Sequence, residues 1–162
     1  MFKLLVGYPS RTEEKSVIER MAHPAPPAGA LAVATLDDVM RARELVDKIY
    51  IDDKIVEYIL DLVISTRPGA AAELSERQRG VNFDDTAALI AFGASPRASI
   101  ALALAARGLA LLNGRAYVLP QDVKELAPDV LRHRIVLSYE AEAEGVDADA
   151  VIAKLLGRLR TP

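Results

Sequence analysis

Apolar positions along this chain recur mainly at helical spacing. Val17, Ile18 and Met21 share one face of a segment that opens with Ser10 and Glu13, a pair spaced as a capping box. Thr35 and Asp38 repeat that signature ahead of an apolar stripe of Val39, Met40, Ala42, Val46 and Ile49. Asp52 stands where a third helix needs its N-cap, and Ile55, Val56, Ile59, Leu60 and Val63 follow at helical intervals. The string TRPG is predicted to stop that helix, because Pro68 disfavours helical geometry at Arg67. A fourth helix is predicted from Pro96. It is apolar on nearly every side, with Arg107 its only charge past the first turn, the pattern of a helix at the centre of a bundle. Asn113 and Gly114 suit its end, since both tolerate left-handed backbone. Pro120 opens a fifth helix with Val123, Leu126 and Ala127 inward, which Pro128 is expected to break or kink. A last helix after Asp147 sets Val151, Ile152, Leu155, Leu156 and Leu159 on one face.

The remaining segments read differently. Phe2 to Val6 is a short apolar run closed by Gly7, the pattern of a strand buried on both faces of a sheet. No neighbouring segment supplies that sheet, so the chain reads as if cut from something larger. HPAPPAG, His23 to Gly29, reads as a stiff loop. Between residues 69 and 86, AAAELSER suits a helix and RGVNFDD a loop. HRIVLSY suggests a short strand near residues 134–138. The expected fold is mainly α, a helical bundle preceded by one strand.

Composition narrows the functional classes. The 162 residues suit one domain with a sizeable core. A net charge of −3 gives no support to nucleic-acid binding, and RHR at Arg132 to Arg134 is the one local basic cluster. A helix-turn-helix DNA-binding reading therefore ranks last. With no cysteine, disulfides and thiolate chemistry are excluded. No apolar run reaches the roughly 18 residues of a membrane span, so direct membrane insertion is not expected. MFKLLV is too short an apolar run for a signal peptide, which leaves the cytoplasm as the default location.

Catalytic motifs are sparse. The chain has no G-x-x-x-x-G-K-[ST] phosphate loop and no Gly-Lys pair. YILDLV is the nearest string to a strand carrying a magnesium carboxylate, but Asp61 lies in a helical pattern and Leu62 follows it. Neither H-E-x-x-H nor G-x-S-x-G occurs. His23 and His133 are far apart and read as surface or capping residues, so no metal site is expected. Glu140, Glu142 and Glu144 read as a solvated face. These absences point away from an autonomous enzyme.

One stretch, GASPRAS from Gly93 to Ser99, stands out. Ser95 is placed as an N-cap, Pro96 suits the first helical position, and Arg97 follows. A helix N-terminus is already partly positive, so a cation there is unfavourable unless an anion joins it. Backbone N–H groups, the helix dipole and a guanidinium fork aimed one way favour a phosphate. The alternatives are that Arg97 pairs with a carboxylate such as Asp84 or Asp85, or reaches solvent.

VGYPSR, GASPRAS and ALAARGLALLNGRAYVLPQDVKELAPDVLRHRIVLSYEAEAEGV together resemble the C-terminal part of MoxR-family AAA+ ATPases, most specifically from Gly93 to Val146. The segments 24–34 and 69–86 match only weakly, and nothing is transferred onto them. The resemblance implies that residues 1–9 are the last strand of an α/β nucleotide-binding core with its junction, and that residues 10–162 are the helical lid. Arg97 falls on the family's sensor-2 arginine, which reaches the terminal phosphate of ATP, with Ser95 beside it. Tyr8 and Pro9 fall at the core–lid junction near the adenine. The phosphate loop, magnesium carboxylate, sensor 1 and arginine finger of the family lie ahead of the first matching residue. The chain alone is therefore expected neither to hydrolyse ATP nor to hold ATP and Mg2+ tightly, although the intact parent does both. The implied partners are the AAA+ core of the same parent, a homo-oligomeric ring, usually a hexamer, and client proteins, often with von Willebrand factor A domains. The competing reading is a freestanding helical interaction module whose Phe2 to Val6 edge pairs with a partner's sheet or with a second copy.

Overall fold

Local capping signals build the first three helices. In the computed structural model, which describes residues 1–24 and 29–162, helix α1 (Arg11–Met21) closes a reciprocal capping box. Ser10 N–H donates to Glu13 Oε2 at 2.7 Å, and Glu13 N–H donates to Ser10 Oγ at 3.4 Å. Helix α2 (Leu36–Lys48) repeats the device with Thr35 and Asp38, at 2.9 and 3.2 Å. Helix α3 (Asp53–Ile64) starts at Asp52, whose Oδ1 accepts from Lys54 N–H at 2.9 Å. Most of the predicted loop His23 to Gly29 lies outside the described residues.

The apolar stripe of α1 does not become core, and of the stripe predicted for α2 only its last member, Ile49, does. Neither helix buries a residue, and Ile18 and Val39 stay 59% and 51% exposed. Burial begins at Ile49, just past α2. Phe2 to Val6 carries no strand pairing among the described residues. Lys3 N–H donates to Asp129 O at 2.9 Å, and Leu4, Leu5 and Val6 remain exposed. A strand needs a continuous partner edge, and a helix end offers only single carbonyls.

The core lies among α3, α5 (Pro96–Leu112), α6 (Pro120–Leu131) and α8 (Ala148–Arg158). Helix α5 sits at its centre, against α2, α3 and α6. Ala98, Ala101, Ala105, Ala106 and Ala110 line its buried side, so neighbouring backbones approach closely. The helix is not covered all round, since Ile100 is 61% exposed. On α3 the buried set is Ile55, Tyr58, Ile59, Leu62 and Val63, while Val56 and Leu60 from the predicted stripe face outward. Pro128 does not end α6, which continues to Leu131 because Val130 and Leu131 are held fully buried in the core.

Residues 69–86 resolve into two short 3₁₀ turns, Ala70–Glu73 and Glu76–Gln78, and the single helical turn α4 (Asp84–Ala87). Asp61, buried on α3, accepts from Ser75 N–H, Ser75 Oγ and Gln78 Nε2 and so fastens this region. Strand β1 (Ile90–Phe92) pairs antiparallel with β2 (Val136–Leu137), with an irregularity between Ile90 and Phe92. The strand predicted near residues 134–138 is thus present, and β1 is its unpredicted partner. Helix α7 (Tyr139–Ala143), capped by Ser138, was also not legible; Glu140 and Glu142 on it and Glu144 beyond it are exposed. Among the described residues no helix is long and apolar enough to cross a membrane.

Candidate functional site

The mouth of α5 is held from two sides. Pairing with β2 fixes β1, which runs directly into Gly93 and Ala94. The end of α3 fixes the next step. Ala94 N–H donates to Thr66 Oγ1 at 2.9 Å, and Arg67 Nε donates to Ala94 O at 3.0 Å. Thr66 is itself anchored, its hydroxyl donating to Val63 O at 2.6 Å. Gly93 is forced by this approach, because a Cβ there would stand 2.3 Å from Thr66 O and 2.8 Å from Arg67 Cα. Sequence reasoning missed Thr66 and Arg67 as partners of this loop. In the sequence, TRPG signals only a helix stop.

Ser95 takes the N-cap position with extended backbone, but its side chain makes no capping hydrogen bond. Pro96 occupies the first turn as predicted. Arg97 is exposed, and among the described residues its side chain has no hydrogen bond or ion pair. The carboxylate alternative is not realised. Asp85 is engaged by Arg158, with Nη2 to Oδ2 at 2.5 Å, and that guanidinium holds its carboxyl below the usual value. Asp84 takes part in no ion pair among the described residues. The arrangement therefore presents a free guanidinium beside the positive end of a 17-residue helix. Such a surface attracts an anion and suits the oxygens of a phosphate.

Tyr8 and Pro9 are exposed, and no hydrogen bond among the described residues joins them to Ser95 or Arg97. His23 lies against Glu19 O at 2.8 Å, at the end of α1. His133 is exposed, and desolvation followed by the charge of Arg134 and its neighbours lowers its pKa. Among the described residues no group of three or more His, Asp or Glu side chains is placed to hold a metal.

Two further arginines, each paired with carboxylates, support the frame around α5. Arg115, just past the end of α5, grips Asp122 on α6 through Nη1 to Oδ2 at 2.8 Å and Nη2 to Oδ1 at 2.5 Å. Burial alone raises the Asp122 carboxyl, but Arg115 and the Leu119 N–H outweigh it and the net shift is downward. Arg132 is shared between Asp129 and Asp149 and also donates to Lys3 O at 2.5 Å. The basic RHR cluster thus fastens the N-terminal segment to α6 and α8.

The AAA lid domain family matches residues 83–155, from just before α4 through most of α8. Chaperone MoxR1 of Mycobacterium tuberculosis H37Rv is 41% identical over all 162 residues, which span 40% of that relative. This chain carries the AAA lid of the MoxR family. YeaC of Bacillus subtilis 168 is 35% identical to it across the whole chain, which spans 45% of YeaC. A crystal structure of a proposed ATPase from Cytophaga hutchinsonii ATCC 33406 superposes with a TM-score of 0.88 at 33% identity. The match covers 100% of this chain and 46% of that one. The MoxR-family chain therefore spans less than half the length of these relatives. The segment containing Gly93, Ser95 and Arg97 lies inside the matched lid.

Proposed function

We propose that this lid sets Arg97 against the terminal phosphate of ATP bound to an α/β core, and so couples nucleotide state to the remodelling of partner proteins. The supporting observation is the exposed, unpartnered guanidinium at the second position of α5, on a helix whose other flank is buried. Bound ATP supplies a terminal phosphate with its magnesium ion, and ADP lacks that phosphate. Arg97 gains a charge-assisted hydrogen bond only in the first case, so ATP favours the closed lid. The Thr66, Gly93 and Ala94 contacts keep the arginine's backbone fixed while the lid moves as a body. In this reading the phosphate loop and magnesium carboxylate belong to the core, Tyr8 and Pro9 lie at the junction beside the adenine, and Ser95 borders the phosphate. The assembly is a homo-oligomeric ring, a hexamer by family resemblance, acting in the cytoplasm on client proteins that include those with von Willebrand factor A domains.

Turnover of the ATPase bearing this lid tests the reading. Arg97→Ala is expected to lower it by about tenfold or more, with the fold unchanged; unchanged turnover removes the sensing role. Calorimetry on the 162-residue chain is expected to show ATP binding no tighter than about millimolar, since one arginine and one helix end form only part of a site. A micromolar dissociation constant abolished by Arg97→Ala contradicts the view that a core completes the site.

The exposed Leu4, Leu5 and Val6 favour a second reading, a freestanding module that adds this segment to another sheet edge. Light scattering after size-exclusion, with and without residues 1–7, separates the two. A monomer in both cases counts against strand-mediated assembly.

A further inference from the structure

We infer that Thr66 and Arg67 are positioning residues for Arg97: they hold the loop that launches α5, and so set where the guanidinium meets the phosphate. The inference rests on the phosphate-sensing reading above and names the part of the lid that makes it precise.

The observations converge on Ala94. Both of its backbone polar groups are taken by the end of α3, the N–H by Thr66 Oγ1 and the carbonyl by Arg67 Nε. Ala94 and Thr66 are buried, at 1% and 0% exposure, so the bond between them is shielded from water, while the Arg67 bond is part-buried. The Gly93 approach leaves no room for the loop to shift towards α3, because even a methyl group would overlap Thr66 O. Only Ser95 and Pro96 separate this clamp from Arg97. The N-cap side chain, the usual device for fixing a helix entry, is not used here, since Ser95 makes no capping bond. The direction of the first turn of α5 is therefore set from α3 across a long-range contact. A sensing arginine needs such support, because a misplacement of about 1 Å costs much of a transition-state contact. Arg67 is half-buried with its Nε committed to Ala94 O, so it acts through the backbone that carries Arg97.

A double-mutant cycle tests this, with a structural readout beside it. The variants are Thr66→Val, Thr66→Ser, Arg67→Met and Arg97→Ala in the ATPase bearing this lid, each checked by thermal melting. Arg67→Met keeps the aliphatic stem and removes the donor. Arg67→Met and Thr66→Val are each expected to lower kcat by about threefold or more. Neither is expected to slow Arg97→Ala further, because they act through the residue already removed. Thr66→Ser keeps the acceptor for Ala94 N–H and is expected to restore turnover. In the 162-residue chain, the Ala94 amide is expected to exchange faster in Thr66→Val and to stay protected in Thr66→Ser. If Thr66→Val fails to fold, the Arg67→Met arm decides alone. Where Arg97→Ala slows turnover but the Thr66 and Arg67 effects are absent or multiply with it, the positioning role is overturned and the sensing role stands. Where Arg97→Ala itself has no effect, the sensing role falls and the positioning role with it.

Discussion

At the scale of single residues, the chemistry turns on which charges are already satisfied. Arg115, Arg132 and Arg158 each close on carboxylates, whereas Arg97 is left facing solvent at a helix end that repels it. Gly93 is the residue on which this exposed position depends most sharply. Gly93→Ala is expected to destabilise the chain by about 2–3 kcal/mol, as overpacking against rigid backbone does, and urea unfolding measures it. Asp122, clasped by Arg115, contributes to the pH dependence. Its folded-state pKa lies below the unfolded value, so it adds stability above the unfolded carboxyl value of about 3.9. That contribution is lost as pH falls through the lower, folded-state value. Asp122→Ala is expected to cost about 2 kcal/mol or more at neutral pH, because Arg115 loses its partner. The difference from the parent chain is expected to shrink in melts taken at progressively acid pH. Arg97 was legible in the sequence because Ser95, Pro96 and Arg97 are contiguous. The Thr66 and Arg67 contacts were not, because they join residues 27 and 28 positions apart.

At the scale of elements, signals confined to one helical turn carried through and signals needing a distant partner did not. The capping boxes at Ser10 and Thr35 formed as predicted, since their two bonds span three residues. Apart from Ile49, the apolar stripes behind them stayed largely open, because an amphipathic face says only that something covers it. Strand β1 was missed for a related reason: three residues show no period, and β1 exists only against β2. The hold on the N-terminal segment is likewise tertiary. Arg132 grips Lys3 O while Lys3 N–H bonds Asp129 O. Arg132→Ala is expected to speed exchange at the Lys3 amide while amides in the centre of α5 keep their protection. Equal loss at both places means that Arg132 holds the whole bundle.

At the scale of the molecule, one packed body begins near Ile49 and the segment before it lies on its outside. Every residue of the buried cluster falls between Ile49 and Leu159. Trypsin is expected to cut at exposed sites such as Arg41, Arg43 and Lys48 first, leaving a product with nearly the parent's melting temperature. A large fall in melting temperature shows instead that α1 and α2 share in the core. The outer faces of α1, α2 and the first residues leave large apolar side chains such as Leu5, Ile18 and Leu36 exposed. The central claim remains the phosphate-sensing role of Arg97. It is tested most directly by a structure of the lid-bearing ATPase with a non-hydrolysable ATP analogue, compared with the ADP state. The account predicts the Arg97 guanidinium within hydrogen-bonding distance of the terminal phosphate in the first and free of phosphate in the second. A guanidinium bound to a protein carboxylate, or left in solvent, while the analogue fills the site contradicts it.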